Sequence, residues 1–87
     1  MKRIEKKAWP ELFEAVLSGA KNFDLRLADF DCRPGDTLVL REWNPETKTY
    51  TGRQIEKEIT FVLKTKGMDF WPREDTDKYG YQVIALK

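Results

Sequence analysis

The sequence predicts one small domain, mainly β or α+β, in which about five mostly antiparallel strands close into a barrel with one main helix across an end. Three observations lead there. The chain has 87 residues, the length of a single domain with a compact core. One segment near the start carries apolar residues at helical spacing, with helix start and stop residues on either side. Most of the remaining apolar residues alternate with polar ones, the period of a strand with one buried face. No internal repeat or low-complexity segment divides the chain, so residues 1–87 are expected to fold as one unit.

Residues Arg3–Ala8 are expected to form a short first strand. "WPELFEAVLSG" then reads as the helix. Pro10 suits the first helical position, where a missing N–H costs nothing. Glu11 and Glu14 favour the positive end of the helix dipole. Trp9, Leu12, Phe13, Val16 and Leu17 make one apolar face, and Gly19 ends the helix as a left-handed cap. "KNFDLRL" alternates, with Phe23, Leu25 and Leu27 on one side and Asn22, Asp24 and Arg26 on the other, and predicts a half-buried strand. "RPGD" is a turn, because Pro34 presets φ and Gly35 tolerates positive φ. "TLVLREW" is the next strand, and the polar loop "NPETKT" joins it to Tyr50 in an expected hairpin. "RQIEKEITFVLK" reads as a longer strand with Ile55, Ile59, Phe61 and Leu63 on one face. Residues 65–78 read as a long polar loop with at most one helical turn, and "YGYQVIALK" as the closing strand.

Composition excludes several chemistries. Sixteen basic and fifteen acidic residues nearly cancel, so there is no global attraction to nucleic acid and any basic patch has to be local. The chain has no histidine and one cysteine, which excludes Ser-His-Asp and Cys-His catalysis, His-ligated metals and an internal disulfide. No cofactor or metal is expected. No apolar run approaches the roughly 20 residues that span a bilayer. The basic N-terminus lacks a following signal-like apolar core, and the protein is expected to be soluble and cytoplasmic with no membrane partner.

The candidate site residues fall in two places. Lys21, Asp24 and Arg26 lie just past the helix end. Lysine and arginine bind phosphate or a polar base edge, and an aspartate accepts from a base amine or takes a proton. Lys21 shares the parity of Phe23 and is expected to point inward. The competing reading is the solvated face of an amphipathic strand, with cross-strand ion pairs of small worth. The second place is the hairpin tract "REWNPETKTYTGR", in which Trp43 and Tyr50 interleave with Arg41 and Arg53. Such tracts stack on and clamp single-stranded nucleic acid, but aromatic pairs and surface arginines are also ordinary hairpin furniture. "FWPRE" is either a lid over the site or a loop pinned to the core by its aromatics. Cys32 is either a reactive thiol or a small hydrophobe, and Asp29, Asp31 and Asp36 either hold a cation or cap the turn.

The stretch from Trp9 to about Leu63 resembles the short PUA-like proteins of the ASCH superfamily, in particular a small bacterial and phage branch of the DUF3850 kind with an expected RNA-binding role. The branch pattern runs W-P-x-x-F-x-x-v, G-x-K-x-x-E-x-R, G-D and E-W-D-P-E-T-G-x-Y-T-G-R. Here it falls on Trp9, Pro10, Phe13, Val16, Gly19, Lys21, Arg26, Gly35, Asp36 and Glu42 through Arg53. The final strand also fits, whereas residues 65–78 have no counterpart. The resemblance implies a PUA-type barrel with a cleft between helix and barrel, lined by the lysine segment, that binds RNA or a modified nucleoside or nucleotide. On that reading Lys21 and Arg26 supply cations, Asp24 orients Lys21 or a base amine, and Trp43 and Arg53 add stacking and backbone contact. The resemblance also implies one alternative, an amidohydrolase acting on an acylated nucleoside such as N4-acetylcytidine, with Lys21 as its catalytic residue. A second alternative, which the balanced charge permits, is a protein-interaction module with no ligand. The chain also departs from the pattern. Asp24 stands where the branch has glutamate and the hydrolases have threonine. "LADF" replaces a polar, basic run. Cys32 stands where an aromatic is common.

Overall fold

The computed structural model describes residues 1–84. Strand β1 (Arg3–Ala8) leads into helix α1 (Pro10–Leu17), followed by strands β2 (Thr37–Asn44) and β3 (Thr49–Glu58) and a short helix α2 (Arg73–Tyr79). The sheet order is β1-β2-β3. β1 runs parallel to β2, from Arg3 opposite Thr37 to Ala8 opposite Glu42. β2 and β3 form the expected antiparallel hairpin. The parallel pair requires a crossover, and α1 with the long segment after it provides one.

The architecture is therefore α+β, with an open three-stranded sheet among the described residues instead of a closed barrel of about five strands. Both the first strand and the hairpin are where the sequence put them. The segments expected to complete a barrel, 21–27, 59–64 and 81–84, are extended or irregular without a ladder; residues 85–87 of the last lie outside the described residues. Their alternation marks a difference in polarity between two faces and supplies no pairing partner. The ladder stops where β2 begins, at the Thr37–Glu58 pair, and Ile59 bonds only the preceding turn: its carbonyl accepts the Gly35 N–H at 2.8 Å and its N–H donates to the Asp36 carbonyl at 2.9 Å. In segment 21–27 the polar side chains bond locally, which competes with ladder formation. Where the sequence suggests a loop with one helical turn, residues 73–79 form α2, about two turns long, which takes in Tyr79 from the expected closing strand and buries none of its residues.

α1 begins at Trp9, whose extended backbone serves as N-cap, with proline at the first position. It packs on one sheet face through Phe13 and Val16, which join Ala8 and Leu40 in the core, flanked by Leu38 and Ile55. The rest of its predicted apolar face is open, since Trp9, Leu12 and Leu17 are each about half exposed. Gly19 adopts φ 86°, and beyond it the Lys21 N–H returns to the Ala15 carbonyl at 2.9 Å. That reversal delivers Lys21 next to the helix end.

The turn at 33–36 is held by Asp36. Its buried carboxylate accepts the Lys2 and Arg33 backbone N–H groups, both at 3.0 Å. Those bonds, the Lys2 contact foremost, hold the Asp36 carboxyl below its ordinary range. Of the two readings of this aspartate, the structure favours turn capping, and the described residues contain no cluster of metal-ligating side chains.

The opposite sheet face is polar. Val39 sits there between Glu5 and Glu56 in register, under an Arg3–Glu56 ion pair that spans β2, and is 1% exposed. No helix among the described residues is long and apolar enough to cross a membrane.

Candidate functional site

Three of the five predicted site residues converge. The Asp24 carboxylate accepts the Arg26 Nε–H at 2.7 Å and lies 3.7 Å from Lys21 Nζ. Lys21 Nζ also donates to the Phe23 carbonyl at 2.8 Å and sits 5.0 Å from the Phe23 ring centroid. Arg26 reaches further with its second nitrogen, donating to the Lys7 carbonyl at 2.6 Å. That bond fastens the segment to β1, an edge strand. All three side chains are partly covered, with 15, 20 and 27% of the Lys21, Asp24 and Arg26 side chains exposed.

These residues line a cleft of about 420 Å³ between the segment after α1 and the segment after β3. Its walls are largely apolar: Phe23 and Phe30 on one side, Phe61 and Leu63 on the other, with Leu38 and Leu40 of β2 at the base. Lys21 lines this cleft, but Asp24 and Arg26, of the opposite parity, line it too, and the strand that the parity reading assumed is absent. An apolar pocket with a few convergent polar groups is the usual form of a small-ligand site. The aromatic walls offer stacking surface, and the two cations with one carboxylate offer polar recognition. Cys32 is a half-buried free thiol on the same lining. Residues 65–84 contribute nothing to that lining, so "FWPRE" does not cover the cleft. Nor is it pinned to the core: Trp71 is half exposed and contacts only Phe70 and Tyr81 among aromatic rings of the described residues.

Arg53 and Trp43 lie elsewhere. Arg53 belongs to the α1 side of the sheet. It grips Glu42 with two bonds of 2.9 and 3.0 Å and donates to Glu14 of α1 at 2.9 Å. Its guanidinium lies 5.0 Å from the Phe13 ring centroid. Thr51 donates a further bond of 2.6 Å to Glu42. This network clamps helix to hairpin, and it occupies the arginine that the sequence offered for ligand contact. The Arg53 and Thr51 hydrogen bonds hold the Glu42 carboxyl down at about 2, and Glu42 in turn raises the Arg53 guanidinium above its ordinary value. Two extra β3 residues make the arrangement: between the Arg41–Gln54 and Trp43–Tyr50 pairs, Glu42 faces residues 51–53, with Gly52 at φ 96°.

Glu42 escaped the candidate set, although it shares the parity of Leu38 and Leu40, which signals an inward carboxylate needing a partner. The cleft walls Phe30 and Phe61 were also missed as site residues, since each reads locally as core.

Trp43 is on the far face, paired with Tyr50. Lys7 Nζ lies 4.4 Å from its ring centroid, and the Arg41 guanidinium 3.9 Å from that of Tyr50.

With this geometry in view, the similarities to known proteins are limited but consistent. A protein of Escherichia phage P2, named only as an uncharacterised 12.9 kDa protein in the GpA 3' region, is 40% identical over 58 residues. That alignment covers 67% of this chain and 51% of the phage protein, so the chain spans about half the length of the curated relative it matches. No solved structure matches. Residues 5–81, a span that includes most of β1, all of α1, the Lys21–Asp24–Arg26 cluster, both cleft walls and α2, fit the sequence profile of a domain of unknown function, and the chain belongs to that family, DUF3850.

Proposed function

We propose that this domain is a cytoplasmic binding module for RNA or a nucleotide-like ligand, and that the ligand enters the cleft edged by Lys21, Asp24 and Arg26. The observation that carries the reading is the convergence of those three side chains on a mainly apolar, aromatic-walled cleft. A base fits such walls by stacking on Phe23, Phe30 or Phe61. Lys21 and Arg26 supply cationic donors for a phosphate or a base carbonyl, and Asp24 both orients them and accepts from a base amine. The same reading puts the domain with the PUA-like ASCH superfamily. The five-stranded barrel of that superfamily would use the extended segments 21–27 and 59–64 as further strands.

The amidohydrolase alternative has less behind it. It calls for a hydroxyl three residues after the lysine, and position 24 holds a carboxylate already engaged by Arg26.

A thermal-shift screen of nucleosides, nucleotides and short single-stranded RNAs tests the proposal, because a ligand that binds only the native state raises its melting temperature by mass action. We expect a rise that weakens with added salt, since phosphate contacts release counterions. The rise should disappear in Lys21→Ala and Arg26→Ala. Absence of any shift or measurable affinity at low salt, for RNA and nucleotides alike, rejects the reading.

A further inference from the structure

The cluster at the cleft does not end at Arg26. Through its bond to the Lys7 carbonyl, Arg26 is tied to the edge strand β1 at the residue whose side chain points to the other face of the sheet. On that face Lys7 Nζ lies over the Trp43 ring, and Arg41 lies over Tyr50, the cross-strand partner of Trp43. Cations and rings therefore continue around the β1 edge, from Lys21 and Arg26 through Lys7 to Trp43, Tyr50 and Arg41. Acids along this path are few. Asp24 is held between Lys21 and Arg26, and Glu5 stands 3.6 Å from Arg41. Lys7 has no acidic partner among the described residues, and Tyr50 is 41% exposed. Four cations against two carboxylates give the path a positive balance in a chain that is otherwise nearly neutral.

We infer that the ligand is a single-stranded oligonucleotide that runs from the cleft over the β1 edge onto the Trp43–Tyr50 platform. This rests on the nucleotide-binding reading of the cleft and names the polymer as its ligand class. The chemistry selects the occupant. Alternating cations and rings, Tyr50 exposed and Trp43 half-buried, match alternating phosphates and bases, because phosphate contacts supply affinity and ring stacking is tolerant of base identity. An acidic peptide would use the cations and leave the rings without partners.

The test compares two probes on the intact chain, a mononucleotide and a labelled oligouridylate of roughly ten nucleotides, a length in the range such sites span. The variants are Trp43→Ala, Tyr50→Ala and Lys7→Gln on the platform, and Lys21→Ala at the cleft. Expected is a loss of oligonucleotide affinity of roughly 5- to 100-fold for each ring removed, the usual size of a stacking contact. Mononucleotide affinity should not change with those substitutions and should fall with Lys21→Ala. Lys7→Gln, which touches no core residue, should lower the salt slope of oligonucleotide binding by about one. If oligonucleotide affinity stays within about twofold in all three platform variants while Lys21→Ala weakens both probes, the platform is overturned and the cleft reading stands. If both ligands fail to bind wild-type protein at low salt, the cleft reading fails and the platform with it. A polyglutamate chain that binds as tightly as the RNA, and with the same dependence on Trp43, also overturns the inference.

Discussion

Glu42 shows how a single residue organises the α1 side of the sheet. It is an almost fully buried carboxylate, and its carboxyl oxygens take bonds from Arg53 and Thr51. Its folded pKa is about 2 against an ordinary value of 4.5. A depressed carboxylate stabilises the native state fully above its unfolded value and loses that contribution as pH falls through the folded one. The melting temperature should therefore decline as pH drops from about 4.5 toward 2, and Glu42→Gln should flatten that decline while lowering the melting temperature at neutral pH. A pH series of melting curves for the two proteins checks it. Lys48 illustrates the opposite case, a residue whose side chain matters less than its backbone. It sits at φ 57° in the hairpin loop, where its N–H bonds the Asn44 carbonyl at 2.7 Å. The branch pattern that the hairpin resembles has glycine at this position. Lys48→Gly should stabilise the domain by about 0.5–1 kcal/mol, because left-handed backbone is costly for a residue with a Cβ. Chemical denaturation reads this as a higher midpoint with an unchanged slope.

At the scale of elements, the core depends on one short contact between α1 and β2. Phe13 is 1% exposed and fills the space above Leu40 and Ala8. Phe13→Ala should cost about 3–5 kcal/mol, a large share of the stability of so small a domain, and should appear as a sharply reduced denaturation midpoint. The helix and hairpin were legible because each carries its own boundary signals: Pro10 and Gly19 for the helix, Asn44-Pro45 and the flanking alternation for the hairpin. Segments 21–27 and 59–64 were misread as strands for one reason. Alternation of Phe23, Leu25 and Leu27, or of Ile59, Phe61 and Leu63, reports a two-faced segment, whereas a strand also needs an edge to pair with, and that is decided by distant parts of the chain. The parallel β1–β2 pair escaped for the same reason, since pairing across 28 intervening residues, from Trp9 to Asp36, leaves no local mark.

For the molecule as a whole, the radius of gyration is 14.8 Å, above the roughly 12 Å of a fully packed chain of this length. The excess goes with apolar side chains left in the open. Phe61, Leu63 and Leu27 around the cleft, and Leu25 beside them in sequence, are all more than 60% exposed. Lys21, Asp24 and Arg26 come together because they are near in sequence and the chain reverses at Gly19, although strand parity sets Lys21 on the face opposite the other two. Sequence spacing wrongly grouped Trp43 with Arg53, because strand alternation sends the first to the polar face and the second to the helix. What joins Trp43 to the cleft is Lys7, a residue with no signal of its own in the sequence, reached through the Arg26 bond to its carbonyl. The proposal that the cleft beside Lys21 receives a nucleotide is tested most directly by a map of backbone amide shifts in the isotopically labelled chain during titration with single-stranded RNA at low salt. The largest changes should fall on residues 21–26 and on Phe30, Leu38 and Phe61, and they should recede as salt is raised. Changes confined to the helix–hairpin contact at Glu14, Glu42 and Arg53, or no changes at saturating RNA, would contradict the proposal.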